Sequence, residues 1–184
     1  MNLNQWYEKA MTPDTYIESM KEHKENLLHI YDHFTLPDDE AFFQEIKRKN
    51  LRAIVLTEDW CGDAMMNIPI LLRIAEKTDI EVRMLLRDQN LELMDQYLTN
   101  GKARSIPIFI FIDEDGNEVA KWGPRSNKVQ QFSDEARQSL PDKDADDYKE
   151  KMKEVLVFMT KSFRDNTDFW NDVYTSMKET LLEN

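Results

Sequence analysis

Two short apolar runs, separated by an amphipathic stretch, constrain this chain more than any other feature. Residues 52–57 read Arg-Ala-Ile-Val-Leu-Thr, and residues 80–86 read Ile-Glu-Val-Arg-Met-Leu-Leu. The first is short, continuous and β-branched, the pattern of a strand buried on both faces. The second reads as another buried strand. Between them, residues 63–77 place Met66, Ile70, Leu71 and Ile74 at helical spacing. Strands separated by helices imply parallel pairing. Residues 107–112 and 118–122 then form a hairpin across Asp113-Glu114-Asp115-Gly116-Asn117, whose Asp-Gly pair is a strong turn signal. The hairpin implies an antiparallel edge. The class is therefore α/β, with a central mixed sheet flanked by helices.

Helical stretches extend this core in both directions. Thr12-Pro13-Asp14 is a helix-start signal, and residues 15–34 carry Tyr16, Met20, Leu27, Ile30, Tyr31 and Phe34 at helical spacing. Leu36-Pro37-Asp38 interrupts the run, and a helix over 38–49 follows with Phe42, Phe43 and Ile46 on one side. A short helix over 91–98 stops at Asn100-Gly101. After Gly123-Pro124 the chain reads as helical, with a break near Pro141 and regular apolar spacing over 148–164 and 167–182. At 184 residues one domain is expected, with a core at about 38–138 and helical extensions at 1–37 and 139–184.

The net charge of −12 argues against nucleic acid or an anionic membrane surface as partner, since both require positive patches. No apolar run approaches the ~20 residues that cross a bilayer. Residues 1–10 lack a basic-then-apolar signal pattern. A single cysteine allows no internal disulfide, which fits a reducing compartment, and a cytoplasmic protein is expected.

That cysteine, Cys61, lies in Thr57-Glu58-Asp59-Trp60-Cys61-Gly62-Asp63-Ala64, between a strand and a helix. A helix N-terminus supplies N–H groups and positive potential, both of which favour a thiolate. Glu58, Asp59 and Asp63 work against it, and a balance near the ordinary thiol pKa of about 8.5 is expected. Arg104 and Arg125 are candidates to shift that balance.

These residues resemble the thioredoxin family over about 38–138. Trp60-Cys61-Gly62 matches the start of the family's Trp-Cys-Gly-Pro-Cys motif, and Pro69 falls where the family has a helix-kinking proline. Ser105-Ile106-Pro107, followed by Ile108-Phe109-Ile110-Phe111, resembles the cis-proline loop and central strand. Asp115-Gly116-Asn117-Glu118-Val119 resembles the hairpin, and Lys121-Trp122-Gly123 the glycine loop beside the active site. The resemblance implies a thioredoxin-like fold. Three departures accompany it: Asp63 replaces the motif proline, Ala64 the second cysteine, and Val55 the buried aspartate that handles the second cysteine's proton. In this the chain is most similar to a bacterial branch carrying Trp-Cys-Gly-Asp.

The resemblance implies monothiol chemistry: a mixed disulfide at Cys61, resolved by a protein thiol or a low-molecular-weight thiol. Trp60, Gly62, Asp63 and Pro107 would shape the catalytic site, with Ile106, Gly123 and Arg125 meeting the substrate. The alternative is a non-catalytic binding or adaptor module in which Cys61 is structural. His29 and His33 lie four apart but lack a metalloprotease glutamate, and the carboxylates of 142–147 lack the glycine and closing glutamate of a calcium loop. No metal and no cofactor are expected. Phe158, Phe163, Phe169, Trp170 and Tyr174 suit either a helix pair packed on the core or a homodimer surface.

Overall fold

The computed structural model covers residues 1–184 and is organised around β1 (Arg52–Thr57). Ala53, Ile54, Val55 and Leu56 are fully buried, as a strand with no polar face must be. β2 (Glu81–Leu86) runs parallel to one edge of β1, with Met84 opposite Val55. β3 (Ile108–Ile112) runs antiparallel along the other edge, with Phe109 opposite Val55. β4 (Glu118–Trp122) closes the hairpin, and the order is β2-β1-β3-β4. The antiparallel β3 departs from the rule that strands separated by helices pair in parallel. Its connection from β2 contains a single turn of α-helix, α6 (Leu91–Met94), too little to form a crossover layer. The expected helix over 91–98 ends early because Gln96 and Tyr97 bond back three residues, to Leu93 and Met94, tightening the chain into a turn.

α5 (Gly62–Thr78) joins β1 to β2, and every residue from Asp63 to Leu71 is buried. A helix covered all round must be enclosed. It is flanked by α3 (Lys24–His33), α4 (Glu40–Lys47), α8 (Tyr148–Asp165) and α9 (Thr167–Leu182). α7 (Asn127–Arg137) packs on α8 and α9.

The helical run expected over 15–34 is divided. α2 (Pro13–Ser19) stops four residues before α3, and His23 is left-handed at φ 59. The bend has a partner: the Asp59 carboxylate accepts the N–H of Lys21 at 2.8 Å and of Glu22 at 3.4 Å. Those donors would otherwise serve a continuous helix. An additional helix, α1 (Asn4–Lys9), precedes them. The segment after it pairs Met11 with Met84, covering part of the exposed edge of β2.

The C-terminal aromatics largely fill this chain's own core. Phe163, Phe169, Trp170 and Tyr174 are buried, and Phe158 alone faces outward. Trp122 Nε1 donates to Ser176 Oγ at 2.9 Å, and the Tyr174 hydroxyl to Asp39 Oδ2 at 2.9 Å, so side chains of β4 and of the residue preceding α4 are bonded to α9. No helix is long and apolar enough to cross a membrane.

Trp170 packs against this core, and its indole N–H donates to the Phe163 carbonyl at 2.8 Å. Trp170→Ala is expected to lower the unfolding free energy by about 3–5 kcal/mol. Urea denaturation followed by circular dichroism checks this, and a loss below about 1 kcal/mol would show that the C-terminal helices pack only loosely.

Candidate functional site

β1 ends at Thr57, and the chain turns once, with the Cys61 N–H bonded to the Glu58 carbonyl at 3.3 Å, before α5 begins. Cys61 is therefore the N-cap of α5. Its Sγ accepts the Ala64 N–H at 3.4 Å and donates to the Ile106 carbonyl at 3.4 Å. The sulfur thus lies between a helix N-terminus and the backbone that precedes Pro107. The Ile106–Pro107 peptide is cis, and both residues are buried.

The electrostatics differ from the sequence expectation. Glu58 Oε1 accepts the Asp88 N–H at 2.9 Å, and Asp59 is occupied at Lys21 and Glu22. Neither carboxylate is aimed at the sulfur. Asp63 is engaged by Arg125 in a bidentate pair, Nε–Oδ1 at 2.7 Å and Nη2–Oδ2 at 2.8 Å, with both side chains largely out of water. Burial works most strongly against the Arg125 charge, but the bond to Asp63, the Asp63 charge and smaller attractions to Cys61 and Asp134 together outweigh it, so its pKa is raised. Arg104 is engaged by Asp95 in an exposed bidentate pair.

Cys61 is 8% exposed. Burial pushes its pKa up, Asp63 adds to the rise, and the Ala64 and Asp63 N–H groups and Arg125 pull the other way; the thiol is pushed up to about 12. The expected balance near 8.5 is overturned. Desolvation, which depends on the whole fold, outweighs the local charges that a sequence displays.

The site opens into a cleft of ≈ 940 Å³ lined by Trp60, Cys61, Arg104, Ile106, Pro124 and Arg125, among others. Trp60 is 45% exposed, and the Arg87 guanidinium stacks over it at 5.0 Å. Gly123 has φ +123, and a Cβ there would collide with the Pro107 carbonyl, so only glycine fits. Gly62 meets α8: an added Cβ would lie 3.6 Å from Thr160 Oγ1 and 3.7 Å from Phe163, ordinary contacts.

Two residues of this region escape a reading by motif. Arg87 follows β2 directly and borders the cleft at the same end of the sheet from which β1 leads to Cys61. Asn67, wholly buried in α5, donates to the Pro124 carbonyl at 2.9 Å and fixes the loop that carries Arg125. A lone amide within Met65-Met66-Asn67-Ile68 is the signal that marks it. The positions of the absent resolving cysteine and buried acid, Ala64 and Val55, are packed into the core. His29 and His33 stack on each other at 4.2 Å, and no group of three or more His, Cys, Asp or Glu side chains is gathered for a metal.

Comparison with known proteins identifies the lineage. The family model described as thioredoxin matches residues 10–137. A protein of unknown function from Pseudomonas aeruginosa has a similar crystal structure, with a TM-score of 0.70 at 14% identity, covering 100% of this chain and 98% of that one. An HIV epitope-scaffold is similar at a TM-score of 0.69 and 12% identity, covering 100% and 99%. At these identities the likeness is one of fold. No curated protein matched. The mixed sheet, the helix-capping cysteine and the family match converge: the chain belongs to the thioredoxin family.

Proposed function

We propose that the chain carries out thiol–disulfide exchange of the monothiol type at Cys61, with an external thiol completing the cycle. One observation carries the reading: Sγ sits 3.4 Å from the Ala64 N–H and 3.4 Å from the Ile106 carbonyl, at a cleft. An extended substrate pairing with the Ile106 backbone competes for the carbonyl that holds the thiol proton. As that hydrogen bond is lost the thiol gives its proton to solvent, and the thiolate attacks one sulfur of a substrate disulfide. That S–S bond breaks, the departing sulfur leaves as a thiolate and takes up a proton, and Cys61 is left in a mixed disulfide. An external thiolate, from a protein or a low-molecular-weight thiol, attacks the mixed disulfide in turn. It takes the Cys61 sulfur, so that the second half of the substrate leaves as a thiolate and is protonated. A second external thiol then displaces Cys61, which is reprotonated, and the two external thiols leave joined as a disulfide while the substrate disulfide has been reduced. Trp60 and Pro107 shape the site, Ile106, Gly123 and Arg125 meet the substrate, and Asp63 tunes the sulfur. A reducing compartment such as the cytoplasm supplies the second thiol.

A thiol held near 12 at rest is also a poor leaving group, so the mixed disulfide is long-lived. Incubation with a peptide disulfide is expected to yield a Cys61 adduct visible by mass spectrometry and absent in Cys61→Ser. Insulin reduction with a recycling reductase is expected to stay at background until a small thiol is added. Turnover without it would defeat the monothiol scheme.

Burial of the thiol favours a second reading, a binding module in which Cys61 is structural. Alkylation decides between them. At pH 7.5 iodoacetamide is expected to label native Cys61 about a thousandfold more slowly than the unfolded chain, given a resting pKa of about 12. Under the exchange reading a disulfide-mimicking peptide accelerates labelling. If labelling follows only global unfolding, with or without peptide, the binding module is the correct reading.

Asp63→Asn is expected to raise the native labelling rate about tenfold and Arg125→Met to lower it, since the two charges act on the sulfur with opposite signs. Equal changes of one sign would mean that both variants act by loosening the pair.

The raised pKa also makes stability depend on pH. The folded thiol keeps its proton above the unfolded value of about 8.5, so its contribution is complete below that pH and is lost as pH rises towards 12. In that window the wild type is expected to lose up to about 1.4 kcal/mol per pH unit relative to Cys61→Ser. Parallel urea midpoints for the two proteins from pH 8 upward would refute it.

A further inference from the structure

A second groove, of ≈ 530 Å³, lies between α8 and the start of α5. It shares Trp60 with the thiol cleft and no other lining residue. Met159 and Phe163 are buried beneath it, and Leu156 and Val157 are exposed at 47% and 63%. On a chain of net charge −12, four cations converge on this recess: Arg137, Lys153, Lys161 and Arg164. Arg137, Lys153 and Lys161 form no ion pair, and Arg164 has only its neighbour Asp165, at 3.5 Å. Of the two lining carboxylates, Glu22 and Asp63, the second is already bound to Arg125.

Arg137 is the most telling of the four. It is half-buried on α7 and bonds only to the Ser133 carbonyl and hydroxyl of its own helix. Burial, with repulsion from Arg125, pulls its pKa down, and the charges of Asp63 and Asp134 offset this only in part. A cation held partly out of water with no carboxylate in direct contact is costly, and a bound anion offsets that cost through charge-assisted hydrogen bonds.

We propose that this groove binds a small amphipathic carboxylate, with its apolar body against Trp60, Leu156 and Val157 and its anionic head among Arg137, Lys153, Lys161 and Arg164. The recess falls within the size of small-ligand sites, about 300–1,000 Å³. Its outward apolar lining is three side chains, Trp60, Leu156 and Val157. The site is distinct from the sulfur and stands whether or not Cys61 exchanges disulfides.

The test is calorimetric titration of the full chain with sodium dodecanoate below its micelle concentration, in low salt. One saturable site is expected. Lys161→Glu and Leu156→Asp, both at exposed helix positions, are each expected to weaken it about tenfold or more with the circular dichroism spectrum unchanged. Dodecyltrimethylammonium, with a similar tail and the opposite head, is expected to bind at least about tenfold more weakly. Cys61→Ser is expected to bind dodecanoate normally. Equal binding of the two head groups, no effect of Lys161→Glu, or no saturable heat to about 1 mM would overturn the proposal. So would a dimer in sedimentation that Leu156→Asp dissociates, because the groove would then belong to a second copy of the chain.

Discussion

The Asp63–Arg125 pair holds the functional end of the molecule together. It joins the first turn of α5 to the segment leaving β4, across 62 residues of sequence. Its bidentate geometry is the stronger kind of charge pair, but position matters more. Both groups are largely out of water, where a charge stripped of its partner costs several kcal/mol. Neither side chain can be lost alone without stranding the other. Asp63 also meets the positive end of the α5 dipole, so the pair sits where a carboxylate is best tolerated. The same two groups act on Cys61 with opposite signs. Because they oppose each other, access to water rather than net local charge governs the state of the sulfur.

The two missing parts of a dithiol site are consistent with that arrangement. Val55 stands between Met84 and Phe109 in the middle of the sheet, with no exposure at all. A carboxylate in its place would need a partner, and with Ala64 at the resolving position there is no second thiol whose proton it could take. Desolvation would then be uncompensated. The apolar residues at 55 and 64 turn what would be a proton-handling layer into ordinary core, leaving the sulfur's own hydrogen bonds to Ala64 and Ile106 as its local control.

The parts of this fold that were legible in the sequence are those governed by local pattern. β1, β2, α5 and the β3–β4 hairpin follow from continuous or periodic apolar runs and from one Asp-Gly turn. The two C-terminal helices follow in the same way. What was not legible depends on partners distant in sequence. The break between α2 and α3 answers to Asp59, and the direction of β3 to the brevity of α6. In the site, Glu58, Asp59 and Asp63 look alike as neighbours of a cysteine, yet Asp63 is the carboxylate that weighs most on it, and the other two are bonded to backbone donors elsewhere. Arg104 and Arg125 look alike beside their loops. Asp95 claims one and Asp63 the other. Burial of Cys61, the largest influence on its chemistry, is a property of the assembled fold and has no local signal.

The contrast between the two glycines of the site shows what the C-terminal helices contribute. Gly123 is required by its backbone, since its φ and the Pro107 carbonyl leave no space for a side chain. Gly62 is under no such constraint: its nearest neighbours, Thr160 and Phe163 of α8, lie at ordinary contact distance. The first requirement comes from the sheet and its proline loop, the second contact from the extension. By packing α8 against the turn that carries Cys61, the extension covers the Gly62 side, while the cleft that Cys61 lines also takes in Trp60, Ile106 and Arg125. What remains on the α8 side is a recess floored by Met159 and Phe163, walled by the same Trp60 that borders the cleft. The extension thereby divides the surface around one tryptophan into two recesses, one with the sulfur and one with a group of cations. That division makes it possible for the two to serve different chemistry.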